Sequence, residues 1–170
     1  SQRLKSSRVV VRMLCRPQIK LLLVRFYGDD RKSVYLRVRK SPMCRWIAYA
    51  GPEIYLEDLL FHQEYSIASQ SLAARESVFT TNGDGFGVAW YGNRTAPGLF
   101  KDILPAWNDS NLRSIAAQIQ TRLFFAHVRA STGTAVTRTN CHPFTYKQWA
   151  FMHNGKIGNW SDCRKSVEQM

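Results

Sequence analysis

Strand-like and helix-like segments alternate along residues 43–170, and this alternation limits the chain to folds that combine sheets with helices. Residues 86–91 are aromatic and β-branched, which is typical of a buried strand. Residues 123–129 and 149–153 are two further strand-like runs. Short turn sequences separate the segments, so we predict interleaved strands and helices in one domain.

The remaining segments follow the same pattern. Residues 43–51 are predicted to form a strand that ends at a Gly51-Pro52 turn, and residues 57–65 and 69–78 are predicted to be helical. Asp109 or Ser110 can cap a later helix. The apolar positions of that helix recur at intervals of three and four residues, at Leu112, Ile115, Ala116 and Ile119.

Positive charge is concentrated at one end of the 170-residue chain. Residues 1–42 contain 12 Lys and Arg but only two acidic residues, a net charge of +10 out of the total of +12. The nearly neutral remainder lacks the electrostatic footprint of a nucleic-acid-binding domain. We therefore divide the chain into a basic extension, residues 1–42, and a folded domain, residues 43–170, and we predict no nucleic-acid partner.

Three interpretations of the extension remain open. It is a leader or pro-segment, a functional basic arm, or translation of sequence upstream of the true start at Met43. Short strands are possible at residues 9–11 and 34–38, but neither predicts a core, and we expect the extension to be disordered.

The longest near-continuous apolar run, residues 19–24, includes Lys20 and is far too short to span a bilayer. We therefore predict no membrane partner. The four Cys residues form no C-x-x-C pair, so a reducing, cytoplasmic location is the default expectation.

Cys44 is the first residue that could carry chemistry. A lone Cys near a strand is commonly a small buried hydrophobic residue. Cys44, however, follows a possible initiator, Met43. If Met43 is removed, Cys44 carries both a thiol and an α-amine, and an amine that titrates near neutrality can accept the thiol proton.

Two other positions could bind substrate. Arg129 ends an apolar strand, where an exposed guanidinium could bind a carboxylate through two hydrogen bonds, although a surface ion pair is the ordinary alternative. Asn154-Gly155 is on its own a common turn dipeptide. Beside Cys44, the Asn154 amide and the Gly155 backbone N–H could instead stabilise an oxyanion.

Two metal- and phosphate-binding interpretations are less favoured. His127, His142 and His153 with Cys141 fit no standard zinc spacing, so we predict no metal and no cofactor. The glycine-rich run 82–87 leads into a strand and not into a helix N-terminus, so its glycines are expected to permit close backbone packing.

Five motifs in order resemble the class II glutamine amidotransferases of the N-terminal-nucleophile hydrolase superfamily, and the resemblance spans about residues 43–160. The motifs are Met43-Cys44-Arg45-Trp46-Ile47-Ala48-Tyr49, Asn82-Gly83-Asp84-Gly85-Phe86-Gly87, Ala126-His127-Val128-Arg129-Ala130-Ser131-Thr132, Asn140-Cys141-His142-Pro143-Phe144 and His153-Asn154-Gly155. The chain is most similar to stand-alone members such as the ergothioneine-pathway γ-glutamyl hydrolase.

The resemblance implies an α+β fold, a four-layer αββα sandwich, and hydrolysis of a γ-glutamyl amide. Cys44 would be the nucleophile, Asn154 and Gly155 the oxyanion hole, and Arg129 the residue that binds the substrate α-carboxylate. Thr132 and His142 would also lie at the substrate pocket. A synthase or partner subunit that receives ammonia is possible.

Two departures from the family pattern qualify this expectation. The family nucleophile is N-terminal, whereas 43 residues precede Cys44. The family's acidic residue for the substrate α-amine has no counterpart up to Met170, so we expect the domain to be C-terminally incomplete. The alternatives to a hydrolase are an inactive fragment or unprocessed pro-form, and a basic binding module that uses residues 1–42.

Overall fold

The structure of the protein, a computed structural model, describes residues 10–16, 19–25, 34–37, 44–76, 83–130, 135–155, 164–165 and 168–169. The named elements are strands β1 (Val10–Arg16), β2 (Ile19–Arg25), β3 (Val34–Arg37), β4 (Arg45–Tyr55), β5 (Phe86–Trp90), β6 (Gly98–Asp102), β7 (Gln120–Val128), β8 (Phe144–Tyr146) and β9 (Trp149–Gly155), and helices α1 (Leu56–Leu60), α2 (Ile67–Glu76) and α3 (Ser110–Gln118). The fold is therefore mixed α/β, as the alternating patterns predict.

Five strands form an antiparallel sheet in the order β3-β4-β7-β5-β6, and Cys44 directly precedes its strand β4. Its central strand, β7, is buried at six consecutive residues from Leu123 to Val128. Both faces of β7 are covered, which explains why its sequence is almost continuously apolar rather than alternating.

The predicted turn at Gly51-Pro52 is wrong. Strand β4 continues through both residues to Tyr55, and its register with β7 changes between the pairs Ala50–Leu123 and Ile54–Thr121. Because a β-bulge accommodates residues without a ladder partner, it tolerates a Pro that has no N–H to donate.

The helices pack on one face of the five-stranded sheet, and their buried residues join those of the strands in a single core. This core includes Leu56 and Leu60 of α1, Leu112 and Ala116 of α3, and Phe124 of β7. Helix α1 is shorter than the predicted helix over 57–65, and α2 begins two residues before the predicted 69. Of the two predicted caps for α3, the structure shows Asp109, whose Oδ1 accepts a hydrogen bond from the Leu112 N–H at 2.7 Å.

A second antiparallel sheet, in the order β1-β2-β9-β8, lies on the other face. Ala150 and Met152 of β9 share a buried cluster with Trp46, Ala48 and Phe125 of the first sheet. Helices, first sheet and second sheet are thus three successive layers of the described residues. The fourth layer of an αββα sandwich stays a prediction.

Strands β1, β2 and β3 fall within residues 1–42. β3 pairs with β4 and lies at the predicted short strand 34–38, while β2 pairs with β9. The domain boundary at residues 42 and 43, and the nature of the extension, stay predictions. Among the described residues, no helix is both long and apolar enough to cross a membrane.

Candidate active site

Cys44 lies immediately before β4, beside the end of β7. The pairing of Arg45 with Val128 brings the Cys44 side chain to the residues that follow β7. Its Sγ accepts a hydrogen bond from the Ala130 N–H at 3.2 Å and lies 3.3 Å from the Ala130 carbonyl oxygen. The thiol is half-buried and held at a fixed position by backbone groups.

Arg129 reaches the same position from the end of β7. The Arg129 N–H donates to the Gly85 carbonyl at 2.9 Å, and the Asp84 N–H donates to the Arg129 carbonyl at 3.3 Å. Its guanidinium donates to the carbonyls of Asp84 at 3.4 Å and Ala135 at 3.1 Å.

The expectation that the Arg129 guanidinium is exposed is wrong, because the residue is only 5% exposed. The segments around Asp84 and Ala135 cover it and supply carbonyl acceptors. The assigned role of Arg129 in carboxylate binding stays a prediction.

The electrostatic environment of Cys44 has two opposing parts. Burial raises the pKa of the thiol above its usual value, and the charge of Asp84 raises it further. The Ala130 N–H and the positive charge of Arg129 lower the pKa, but burial has the largest effect. At neutral pH the group is therefore a thiol, and a nucleophilic role requires a base.

Sequence reasoning treated Asp84 only as part of a glycine-rich turn, although its charge acts on Cys44. The signal in the sequence that could have indicated this role of Asp84 is its carboxylate, which lies in a motif directly before a predicted strand.

Asn154 and Gly155 are the last two residues of β9, where the structure describes their backbone. They pair with Lys20 and Ile19 of β2, so they belong to a strand and the alternative interpretation as a turn is wrong. Their predicted role as oxyanion donors is untested. Thr132 lies outside the described residues.

His142 packs between two other histidines. Its ring centroid is 4.6 Å from that of His127 and 4.6 Å from that of His153. Both ring nitrogens of His127 and of His142 are buried and have no hydrogen-bond partner among the described residues. Burial and neighbouring positive charge lower the pKa of His127 well below its usual value and that of His142 to about 3, so both are neutral at pH 7.

These histidines form a packed group, together with Phe144 and Phe151. The described part of the chain contains no set of three or more His, Cys, Asp or Glu side chains placed to hold a metal ion.

Two glycines of the run 82–87, Gly85 and Gly87, allow close packing, as predicted. Gly85 has a φ of +103°, and a Cβ there would lie 2.6 Å from Cys141 Sγ and 2.7 Å from the Asp102 carbonyl oxygen. A Cβ on Gly87 would overlap the backbone carbonyl of His142. Both glycines thus bring the segment 141–142 against β5, close to Arg129.

Comparison with known proteins identifies the family. The profile of the class-II glutamine amidotransferases matches residues 59–169, which is more than half of the chain. The chain belongs to the class II glutamine amidotransferases. The family predicted from the five motifs is thereby confirmed.

Individual proteins similar to this class II amidotransferase chain include a member named as a glutamine amidotransferase. A probable glutamine amidotransferase, DUG3, from Saccharomyces cerevisiae is 44% identical over 134 residues, which cover 74% of this chain and 38% of that protein. The gamma-glutamyl-hercynylcysteine sulfoxide hydrolase from Mycolicibacterium smegmatis is 29% identical over 117 residues, which cover 68% of this chain and 52% of that protein.

The chain also resembles the structure of a glutamine aminotransferase class-II domain protein from Silicibacter pomeroyi, with 36% identity and a TM-score of 0.49 over 73% of this chain and 42% of that one. The matched region spans about half or less of the length of these relatives.

Proposed function

We propose that the protein hydrolyses glutamine or another γ-glutamyl amide through a thioester on Cys44. The observation that carries this proposal is the position of the Cys44 Sγ, which the Ala130 N–H holds beside the positive charge of Arg129. The family match supports the same reaction class, because the relatives are named as a glutamine amidotransferase and γ-glutamyl hydrolases.

The reaction begins with removal of the thiol proton. Because burial raises the pKa of Cys44, a nearby base is needed, and the α-amine of Cys44 supplies it once the residues before Cys44 are absent. The thiolate then attacks the γ-carbonyl carbon and forms the S–C bond, and the carbonyl oxygen becomes an oxyanion.

Collapse of this tetrahedral intermediate completes acyl transfer. The C–N bond breaks, and the leaving nitrogen takes the proton from the ammonium of Cys44, so that ammonia or an amine departs. Water, deprotonated by the same amine, attacks the thioester carbonyl and releases glutamate and the free thiol.

The remaining assignments place the substrate around this centre. Arg129 would bind the α-carboxylate, with Thr132 and His142 at the pocket, and Asn154 and Gly155 would donate hydrogen bonds to the oxyanion. Binding of the carboxylate requires the Arg129 guanidinium to exchange a backbone carbonyl for the ligand, since it donates to Asp84 and Ala135.

The proposal extends to the whole domain, its location and the fate of ammonia. The complete domain has the four-layer αββα architecture of N-terminal-nucleophile hydrolases, the enzyme works in the cytoplasm, and released ammonia passes to a synthase or partner subunit where one is present.

Glutamate release by the protein that lacks residues 1–43 tests the proposal. The protein beginning at Cys44 is incubated with glutamine and with γ-glutamyl dipeptides, and Cys44→Ala is expected to abolish the release. Cys141→Ala is the matched control, because Cys141 is a second free cysteine with no assigned role, and it should retain activity. Equal activity of Cys44→Ala and the unaltered protein would disprove the mechanism.

A further inference from the structure

A cavity of about 620 Å³ lies at the opposite end of the five-stranded sheet from Cys44. Its walls include Gln120 and Arg122 at the start of β7, whereas Arg129 follows the end of that strand. At about 3.3 Å per residue, the two positions are separated by roughly 25 Å along β7. The cavity is therefore distinct from the proposed active site, and its volume is within the range of small-molecule sites, about 300–1,000 Å³.

The bulge in β4 gives the cavity part of its charge. Arg122 lies between the β7 residues that pair with Ala50 and Ile54, so it is opposite the bulged segment that contains Glu53. Both side chains line the cavity, and Arg94, in the loop after β5, lines it as well. Bulges commonly redirect side chains at the ends of sheets in this way.

Buried and partly buried hydrogen bonds fix the walls of the cavity. The Tyr49 hydroxyl donates to the Pro52 carbonyl at 2.7 Å and holds the bulge. The Thr121 hydroxyl donates to the Tyr91 carbonyl at 2.7 Å, and the Tyr91 hydroxyl donates to the Gln148 carbonyl at 3.0 Å, which joins the two sheets. A cavity whose walls are fixed in advance loses less conformational entropy when a ligand binds.

The charged groups define the chemistry of that ligand. Among the lining residues, the charged side chains are those of Arg94, Arg122 and Glu53, while Leu123 and the ring of Tyr91 supply apolar surface. Guanidinium groups bind carboxylates through two parallel hydrogen bonds, and a carboxylate binds an ammonium group.

We propose that this cavity binds a small dicarboxylic amino acid, with Arg94 and Arg122 on its two carboxylates and Glu53 on its ammonium group. Such a ligand has two negative charges and one positive charge, opposite to those of the cavity. The proposal does not depend on hydrolysis at Cys44.

Titration calorimetry of the full-length chain with L-glutamate tests the proposal. We expect Arg94→Gln and Arg122→Gln each to weaken binding by about tenfold or more, because each removes a charge-assisted hydrogen-bonding pair. Arg113→Gln is the matched control, since Arg113 lies on α3 over the Phe61 ring, outside the cavity, and its isotherm should not change.

Two ligand analogues separate the contribution of the second carboxylate from that of the ammonium group. Norvaline lacks the second carboxylate and should bind at least tenfold more weakly than glutamate. Glutarate lacks the ammonium group, so Glu53→Gln should weaken the binding of glutamate but not that of glutarate.

Any glutamate held near Cys44 contributes equally to the glutamate isotherms of the unaltered chain and its variants, so the differences between these proteins report on the cavity alone. Superimposable isotherms for the unaltered chain and for both arginine variants would overturn the proposal. Absence of glutamate release in the activity assay would leave it intact.

Discussion

At the scale of single residues, charge and burial around Cys44 determine what its thiol can do. Burial raises the pKa of the thiol, Arg129 opposes this effect, and Asp84 reinforces it. The structure thus favours a neutral thiol that reacts only when a base takes its proton. The two charged neighbours have opposite effects, and substitution can separate them.

We expect Asp84→Asn to lower the pKa of the Cys44 thiol, because the variant removes a negative charge that disfavours the thiolate. The measurement is the pH profile of Cys44 alkylation by iodoacetamide, followed by mass spectrometry of the peptide that contains Cys44. Arg129→Gln is the opposite control and should move the profile to higher pH. A shift of the Asp84→Asn profile to higher pH would contradict the electrostatic assignment.

Gly87 provides a test of packing at the same scale. We expect Gly87→Ala to reduce the free energy of unfolding by about 1–3 kcal/mol, because its Cβ would overlap the backbone carbonyl of His142, which cannot move alone. Urea denaturation measures the change. Gly92→Ala is the matched control, since a Cβ at Gly92 would meet no atom of the described residues within 4 Å. Equal stabilities of the two variants would contradict this expectation, because they would show that the backbone at His142 moves to accommodate the added Cβ at little cost.

At the scale of elements, a structural feature is predictable from the local sequence when its two interacting groups lie only a few residues apart. The cap of α3 is an example, because the Asp109 carboxylate and the N–H it binds are three residues apart. The bulge in β4 was not predictable in this way, since it depends on the register of β7, about 70 residues later. Gly51-Pro52 resembles a turn locally, but pairing on both sides extends the strand.

Strands without a strong local pattern also escaped prediction. β6 and β8 are short, and they become strands because β5 and β9 provide hydrogen-bonding partners. The candidate active site likewise has some features that local motifs predict and others that depend on distant segments. The motifs mark Cys44 and Arg129 as candidates, but the burial of Arg129 and the packing of His142 against His127 arise from contacts between distant segments.

The cap itself can be tested. We expect Asp109→Ala to destabilise the protein by about 1 kcal/mol, because the Leu112 N–H loses its acceptor at a position that is 3% exposed. Ser110→Ala is the control, as Ser110 is exposed and is the first residue of α3, and it should have little effect. Thermal unfolding compares the two variants. A larger loss for Ser110→Ala would reassign the cap.

At the scale of the whole molecule, the histidine group links the two sheets, since His127 belongs to β7 and His153 to β9. The stability of the fold should therefore depend on the protonation of this group. His142 has a pKa of about 3 in the folded protein against about 6.5 in the unfolded chain. Between these values the unfolded chain binds more protons, so stability falls as pH falls.

We expect the free energy of unfolding to decrease from about pH 6.5 towards pH 3, with His142 contributing a slope of up to about 1.4 kcal/mol per pH unit. His142→Phe keeps a ring and removes the titration, so its slope should be shallower. His62→Gln is the control, because that side chain is exposed, at 60%. Urea denaturation at several pH values gives the slopes, and identical slopes for His142→Phe and the unaltered protein would contradict the assignment.

The central claim concerns the free α-amine of Cys44, and one comparison tests it most directly. Two proteins are prepared that both lack residues 1–42 and differ only in the presence of Met43 before Cys44, and glutamate release from glutamine is measured for each. We predict that only the protein beginning at Cys44 is active, because an amide nitrogen cannot accept the thiol proton. Equal activity of the two proteins would contradict the proposed mechanism.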